Sequence, residues 1–188
     1  VLGFSQKVWL RADLGVTTTP TNGVSNWIFQ NANTNNHEGR QTDTNFQPVL
    51  IDDGMNYNPT ILFDGIDDYL PLTVPETSRD IDNMYVVVVM KTDFSVFTSD
   101  FDNWALLDFD RSNFFSFSVK DRVYLALNSY QATKDIFGNQ IVNDGIPHLV
   151  GGTFDNADTV NDTRLYVDGG LDVTANAYDH SLPVGRGQ

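Results

Sequence analysis

Residues 63–70, FDGIDDYL, bring together three aspartates, one glycine and several bulky apolar side chains. Clustered carboxylates can act as acid and base in catalysis, bind a hard cation, or accept hydrogen bonds from the backbone of a turn. We predict a turn at Asp64 and Gly65, with Asp67 and Asp68 as side-chain caps. The residues expected to point into the core are Phe63, Tyr69 and Leu70. A metal-binding role for one of the acids stays open, and catalysis is the least favoured of the three.

Two other segments are rich in aspartate, SDFDNW (99–104) and FDNADTVNDT (154–163). Calcium takes oxygen ligands, so these segments predict a calcium site. The candidate metal ligands are Asp100, Asp102, Asp155, Asp158 and Asp162. Neither segment has the EF-hand pattern of glycine at the sixth position and glutamate at the twelfth. The alternative is that these acids form a solvated surface that keeps the protein soluble.

Aromatic residues in or near predicted loops suggest carbohydrate binding. Aromatic rings bind the apolar face of a sugar, while amides and carboxylates bind its hydroxyl groups. The candidate glycan-binding residues are Trp104, Asn103, Asn113, Asn128 and Tyr130. For each of them the alternative is core packing or an incidental surface position.

The sequence offers little support for catalysis. Glycoside hydrolysis commonly uses two opposed carboxylates, and the candidate pair is Asp108 and Asp110, two positions apart on one strand face. The alternative for this pair is a solvent-facing or calcium-binding strand end. His148 is favoured as a packed structural residue over a general base. Because no zinc, phosphate-binding or serine-elbow motif occurs, we expect the protein not to be an enzyme.

The composition restricts the partners. The formal net charge is −14, which disfavours nucleic acid and anionic membrane surfaces as ligands. The absence of cysteine excludes disulfides and thiolate metal sites. Of the 25 acidic residues 23 are Asp, and Asp favours turns whereas Glu favours helices. No apolar run approaches the roughly 20 residues of a membrane-spanning helix, so membrane insertion is not expected.

Recurring apolar and β-branched runs predict an all-β fold, with the two sheets of an antiparallel sandwich packed over one core. The predicted strands are 7–14, 48–51, 60–64, 67–72, 84–91, 103–109, 114–120, 122–128, 147–155, 164–169 and 171–175. MYVVVVMK (84–91) is apolar on both faces, which predicts a central strand covered on both sides. FFSFSVK (114–120) alternates, which predicts one buried face and one exposed face. Asp168-Gly169-Gly170 predicts a tight hairpin, and residues 15–47, 92–102 and 129–146 are expected to be loops.

Five segments in order resemble the laminin-G-like, concanavalin A-like jelly-roll domains of bacterial surface and secreted proteins. They are VWLRADLGVTT with NGVSNWIFQNANTNN, PTILFDGIDDYLPL, YVVVVMK, DGIPHLVGGTFD and TRLYVDGGLDVTA. The resemblance covers most of the chain. It implies one domain over residues 1–188 and places FDGIDDYL in a strand–turn–strand at the edge of the sandwich. Family members usually continue beyond a segment like LPVGRGQ, so we expect C-terminal strands that this chain lacks.

The resemblance implies an extracellular or cell-surface module. The first hypothesis is a non-catalytic, lectin-like domain that binds a glycan or cell-surface polysaccharide with the help of calcium. The alternative is a structural or adhesive unit whose open sheet edge is completed by a strand from another chain. A non-catalytic module of a polysaccharide-degrading enzyme also stays open, because this sandwich hosts many functions.

Overall fold

The computed structural model describes residues 8–30, 37–73, 83–94, 104–109, 115–127, 135–155 and 157–176. Their regular structure is almost entirely antiparallel β-sheet, which confirms the all-β prediction. The helical exception among these residues is a single 3-10 turn at Thr44–Phe46, capped by the Asp43 carboxylate. The chain divides into two compact units, Val1–Thr77 and Ser78–Gln188. The single-domain interpretation from the sequence stays a prediction.

The first unit contains a three-stranded sheet and a separate hairpin. The sheet consists of β1 (Val16–Thr18), β2 (Val24–Ile28) and β3 (Glu38–Arg40), in that order. The hairpin consists of β4 (Val49–Met55) and β5 (Asn58–Leu62). It turns at Asn56 and Tyr57, whose φ angles of 50° and 61° match the left-handed turn that two-residue hairpins prefer.

The first unit corrects several predictions. The sheet β1–β3 lies within residues 15–47, which the sequence analysis assigned to a loop. Conversely, the predicted strand 7–14 contributes one isolated bridge, Arg11 to Leu14, and the predicted strand 67–72 contributes one, Gly39 to Leu72. The strands β1 and β3 have three residues each, too few for a period-2 pattern to be recognised.

The second unit is a β-sandwich. One four-stranded sheet has the order β10-β9-β8-β7, and the other has the order β13-β12-β11-β6. The strands are β6 (Asn83–Met90), β7 (Trp104–Phe109), β8 (Phe115–Val119), β9 (Val123–Leu127), β10 (Ile136–Phe137), β11 (His148–Asp155), β12 (Thr163–Val167) and β13 (Gly170–Ala175). Residues of both sheets form one apolar core, which includes the fully buried Phe117, Leu125, Val150 and Leu165. The short strand β10 falls within residues 129–146, which were predicted to be a loop.

The β12–β13 hairpin forms as the sequence predicts. Asp168 and Gly169 both have positive φ angles, 51° and 81°, and they connect Val167 to its register partner Gly170. Asp tolerates the left-handed region better than most residues, and Gly adopts it without strain. The prediction of a tight hairpin at Asp168-Gly169-Gly170 is therefore confirmed.

The burial of two strands differs from the prediction. In the described part of the fold β6 lies at a sheet edge, and its outward side chains Tyr85, Val87 and Val89 are exposed. The prediction that both faces of this strand are covered is therefore wrong, and its central position in the sheet stays a prediction. The strand β8 shows the opposite difference, because Ser116 and Ser118 are buried along with Phe117. Their hydroxyl groups share a hydrogen bond of 3.0 Å, which satisfies polar groups that would otherwise be costly to bury.

Gly152 sits where the two sheets of the sandwich approach each other. A Cβ atom at this position would lie 3.2 Å from Cε2 of Phe117 and 3.4 Å from Cδ2 of Leu125. Phe117 and Leu125 belong to the facing sheet and are fully buried, so neither ring nor methyl group can move into solvent. The absence of a side chain at Gly152 thus sets the spacing between the sheets at this point.

We predict that Gly152→Ala destabilises the second unit by roughly 1–3 kcal/mol, the usual cost of overpacking a core. The matched control is Gly170→Ala in the same sheet, where the nearest atom to an added Cβ is the Val167 carbonyl oxygen at 3.5 Å. Urea unfolding of both variants measures the difference. Equal stability of the two variants would contradict the tight sheet contact at Gly152.

Candidate functional site

Residues 64–68, named here the acidic turn, are folded by their own carboxylates. Oδ1 of Asp64 accepts hydrogen bonds from the backbone N–H groups of Ile66 at 2.8 Å and Asp67 at 3.2 Å. In return, Oδ2 of Asp68 accepts a hydrogen bond from the backbone N–H of Asp64 at 2.8 Å. Gly65 has a φ of 73°, which allows the chain to reverse. The predicted turn is present and Asp68 caps it as predicted, but the other cap is Asp64 and not Asp67.

The acidic turn concentrates negative charge. One carboxylate oxygen from each of Asp64, Asp67 and Asp68 lies within 4.8 Å of the others. The Ile66 N–H, with other backbone donors of the turn, holds the pKa of Asp64 below its ordinary value. Partial burial, reinforced by the charges of Asp64 and Asp67, raises the pKa of Asp68. A bound cation would counteract both the burial of the charge and its repulsion by the neighbouring carboxylates.

The donor set of the acidic turn fits a hard cation. Calcium takes six to eight oxygen ligands, and carboxylates are its usual protein ligands. The hydrogen bonds inside the turn engage Oδ1 of Asp64 and Oδ2 of Asp68. The other oxygen of Asp64, the other oxygen of Asp68 and the carboxylate of Asp67 remain for a metal ion. Together with water or a ligand hydroxyl, they would hold calcium.

Apolar side chains surround the acidic turn. Ile66 is 85% exposed, Tyr69 is 51% exposed and Phe63 is 45% exposed, so the prediction that Phe63 and Tyr69 point into the core is wrong. The physical reason is that β5 already ends at Leu62, and the turn caps fold the next residues into a surface loop instead of a second strand. The Tyr69 ring packs at a tilt against Phe46, with 5.6 Å between ring centroids.

The predicted metal ligands at 154–163 mostly serve the local backbone. Oδ1 of Asp155 accepts a hydrogen bond from Ala157 N–H, and Oδ1 of Asp158 accepts two, from Val160 and Asn161. Backbone donors and the Arg164 guanidinium, 2.8 Å from Oδ2, hold the pKa of Asp158 below its ordinary value. Asp162 is fully buried and accepts a hydrogen bond from the Thr163 hydroxyl. Among the described residues, the acidic turn is the group that brings three carboxylates together.

The predicted glycan-binding residues lie mainly outside the described residues, as do the metal candidates Asp100 and Asp102. Of the glycan set, Trp104 is described as the first residue of β7 and pairs with Val119, whereas Asn103, Asn113, Asn128 and Tyr130 are outside. Val119 is one end of β8. At the opposite end Phe115 pairs with Leu127, and these two residues are the described ones nearest in sequence to Asn113 and Asn128. At about 3.3 Å per residue these two ends of β8 are about 13 Å apart.

A second cluster of charge surrounds a buried histidine at the start of β11. Nδ1 of His148 lies 2.8 Å from Oδ2 of Asp168, and Nε2 lies 3.2 Å from Oδ1 of Asp144. Burial acts to lower the pKa of His148, but hydrogen bonds and charges of the two carboxylates raise it above the ordinary value. Both ring nitrogens are engaged, which agrees with a structural role and leaves neither free to act as a general base.

Comparison of the chain with protein-family models, with curated proteins and with solved structures finds no match. In the part of the chain that the structure describes, no helix has the length and apolar character of a membrane span.

We predict that Asp64→Ala lowers the stability of the first unit more than Asp67→Ala, because Asp64 accepts the backbone hydrogen bonds of the turn. The lowered pKa of Asp64 means that this stabilisation is present above the ordinary pKa and is lost as the pH falls through the folded-state pKa. Thermal unfolding of both variants at neutral pH and at pH near 3 tests the ranking. If the two variants unfold alike at neutral pH, Asp64 is not the cap of the turn.

Proposed function

We propose that the chain is a non-catalytic, lectin-like module that binds glycan with the help of calcium. In this proposal it belongs to the laminin-G-like jelly-roll domains and acts outside the cell, within a larger surface or secreted protein. The all-β architecture and the sandwich of the second unit agree with such a fold. The function rests on one local observation, the acidic turn and its apolar surroundings.

The acidic turn supports the proposal because it combines the two chemistries that sugars require. Its three carboxylates can hold a calcium ion, and the open positions of such an ion accept sugar hydroxyl groups. Phe63 and Tyr69 are exposed beside the carboxylates and offer aromatic surface to the apolar face of a sugar ring. A glycan could therefore contact the metal and an aromatic ring together.

The environment of His148 supports a non-catalytic role. The imidazole is buried and lies between two carboxylates, so it is not presented to a substrate. Asp108, the described member of the candidate acid pair on β7, pairs with Ser116 of β8, and Asp110 lies outside the described residues. The buried and fully engaged imidazole of His148 therefore supports binding without bond cleavage.

We predict that a glycan array probed with this chain gives binding in calcium that is lost in chelator. Asp67→Asn should lose that binding without unfolding, because it removes a carboxylate that caps no backbone group in the acidic turn. The matched control is Asp52→Asn on β4, which removes the same charge from an exposed position of the same unit and should bind like the wild type.

Glycan binding by the variants shows which residues form the glycan-binding site. Calcium-dependent binding that survives in Asp67→Asn but disappears in Trp104→Ala would move the site to the region of Trp104, Asn103, Asn113, Asn128 and Tyr130. Absence of glycan binding in calcium and in chelator would contradict the lectin-like function itself.

A second candidate function, a structural or adhesive unit, is favoured by the outward face of the second unit. Tyr85, Val87 and Val89 of β6 are exposed next to Leu149 of β11, and Val89 is the register partner of Leu149. Exposed apolar patches and sheet edges commonly mark contacts with other chains. Val89→Lys should then reduce association of purified chains in light scattering. A monomeric wild type at high concentration would oppose this candidate.

A further inference from the structure

Both ring nitrogens of His148 face carboxylates. His148 is 6% exposed and lies at the first position of β11, where its register partner across the sheet is Met90. The two groups within hydrogen-bond distance of its ring are the carboxylates of Asp144 and Asp168. An ionised carboxylate accepts hydrogen bonds and cannot donate them. Both contacts are hydrogen bonds together only when the imidazole carries a proton on each nitrogen.

Each carboxylate of the cluster is held by a different backbone N–H group. Oδ1 of Asp168 accepts a hydrogen bond from Leu149 N–H at 2.9 Å, and the N–H of Asp168 donates to the Leu149 carbonyl at 2.8 Å. Asp168 thereby joins the β12–β13 hairpin to the start of β11. Oδ1 of Asp144 accepts a hydrogen bond from Ile146 N–H at 3.1 Å, within the turn that precedes β11.

A third segment, which follows β6, is hydrogen-bonded to the turn that contains Asp144. The N–H of Gly145, next to Asp144, donates a hydrogen bond to the Thr92 carbonyl at 3.0 Å, just beyond the end of β6. Lys91 and Asp93 flank that carbonyl, but the charges that act on the imidazole are those of Asp144 and Asp168. When it is doubly protonated, His148 is thus a cation shared by the 144–148 turn and the 168–169 hairpin.

We propose that Asp144, His148 and Asp168 form a pH-operated clamp that holds the 144–148 turn against the β12–β13 hairpin while the imidazole is doubly protonated and loosens this end of the sandwich when it loses a proton. After deprotonation one ring nitrogen becomes an acceptor that faces an acceptor carboxylate. One of the two contacts then changes from attraction to repulsion, and the neighbouring turn can separate.

The sign of the pH dependence follows from the protonation states. A histidine that is held charged in the folded protein contributes stability that is complete below its unfolded pKa of about 6.5 and is lost as the pH rises through its folded pKa. Backbone donors, with the histidine, hold the pKa values of Asp144 and Asp168 below ordinary, so their contribution is lost only as the pH falls through those values. The clamp is therefore complete between the folded-state pKa values of its carboxylates and about pH 6.5, and it opens as the pH rises through the folded-state pKa of His148.

The test is an NMR titration of the His148 ring in the full chain, read together with hydrogen exchange of the Leu149 amide. We expect the ring to titrate above pH 6.5. Protection of the Leu149 amide, corrected for base-catalysed exchange, should fall about tenfold for each pH unit between 6.5 and that midpoint. The amide is an apt reporter because its acceptor is the clamp carboxylate of Asp168.

Asp168→Asn is the informative variant. Asparagine tolerates the φ of 51° at this position and can still accept the Leu149 hydrogen bond, so the hairpin should persist without the charge. The variant should lower the His148 midpoint and abolish the pH dependence of Leu149 protection. Asp144→Asn should lower the midpoint as well, while Asp172→Asn in β13 serves as a charge-matched control and should leave it unchanged.

A wild-type midpoint at or below 6.5 would overturn the clamp, as would a midpoint that none of these substitutions moves. A raised midpoint with Leu149 protection that does not change between pH 6 and 9 would overturn the opening and leave His148 as a fixed structural cation.

Discussion

Hydrogen bonds from backbone N–H groups to aspartate carboxylates are the interaction on which both units depend. Asp64 and Asp68 close the acidic turn, Asp144 and Asp168 close the turns around His148, and Asp155 and Asp158 close the loop before β12. A short acidic side chain next to a turn satisfies backbone donors that a strand can no longer pair. The strong bias toward Asp over Glu therefore has a structural cause.

The same interaction leaves some carboxylates free for other roles. In the acidic turn two caps lie close together. The carboxylate oxygens of Asp64 and Asp68 that do not cap the backbone, with the carboxylate of Asp67, form a site of high negative charge. Where a cation is already present, as at Arg164 beside Asp158, the charge is balanced within the chain. This difference favours the acidic turn over the loop at 154–163 as the place for an added cation, although each segment contains three aspartates.

Local chemistry made part of the fold predictable. The strands β11, β12 and β13 and their hairpin follow from apolar runs and from Asp168-Gly169, because their structure depends on neighbours in sequence. The strands β1, β3 and β10 were missed because segments of two or three residues are too short to show a period-2 pattern, and β2 (VSNWI) has no regular alternation of apolar and polar residues. Burial was the least predictable property. The sequence of β6 does not reveal which neighbours cover Val87, and that of FDGIDDYL does not reveal that its caps turn Phe63 and Tyr69 toward solvent.

The central claim is that the acidic turn is a calcium site that serves ligand binding, and a calcium titration followed by backbone amide NMR tests it most directly. The amides of Ile66, Asp67 and Asp68 report on the turn, because each donates a hydrogen bond to the Asp64 carboxylate. The account predicts saturable shifts that are largest at these three amides. Shifts that are confined to residues 155–162, or the absence of saturable shifts anywhere, would contradict it.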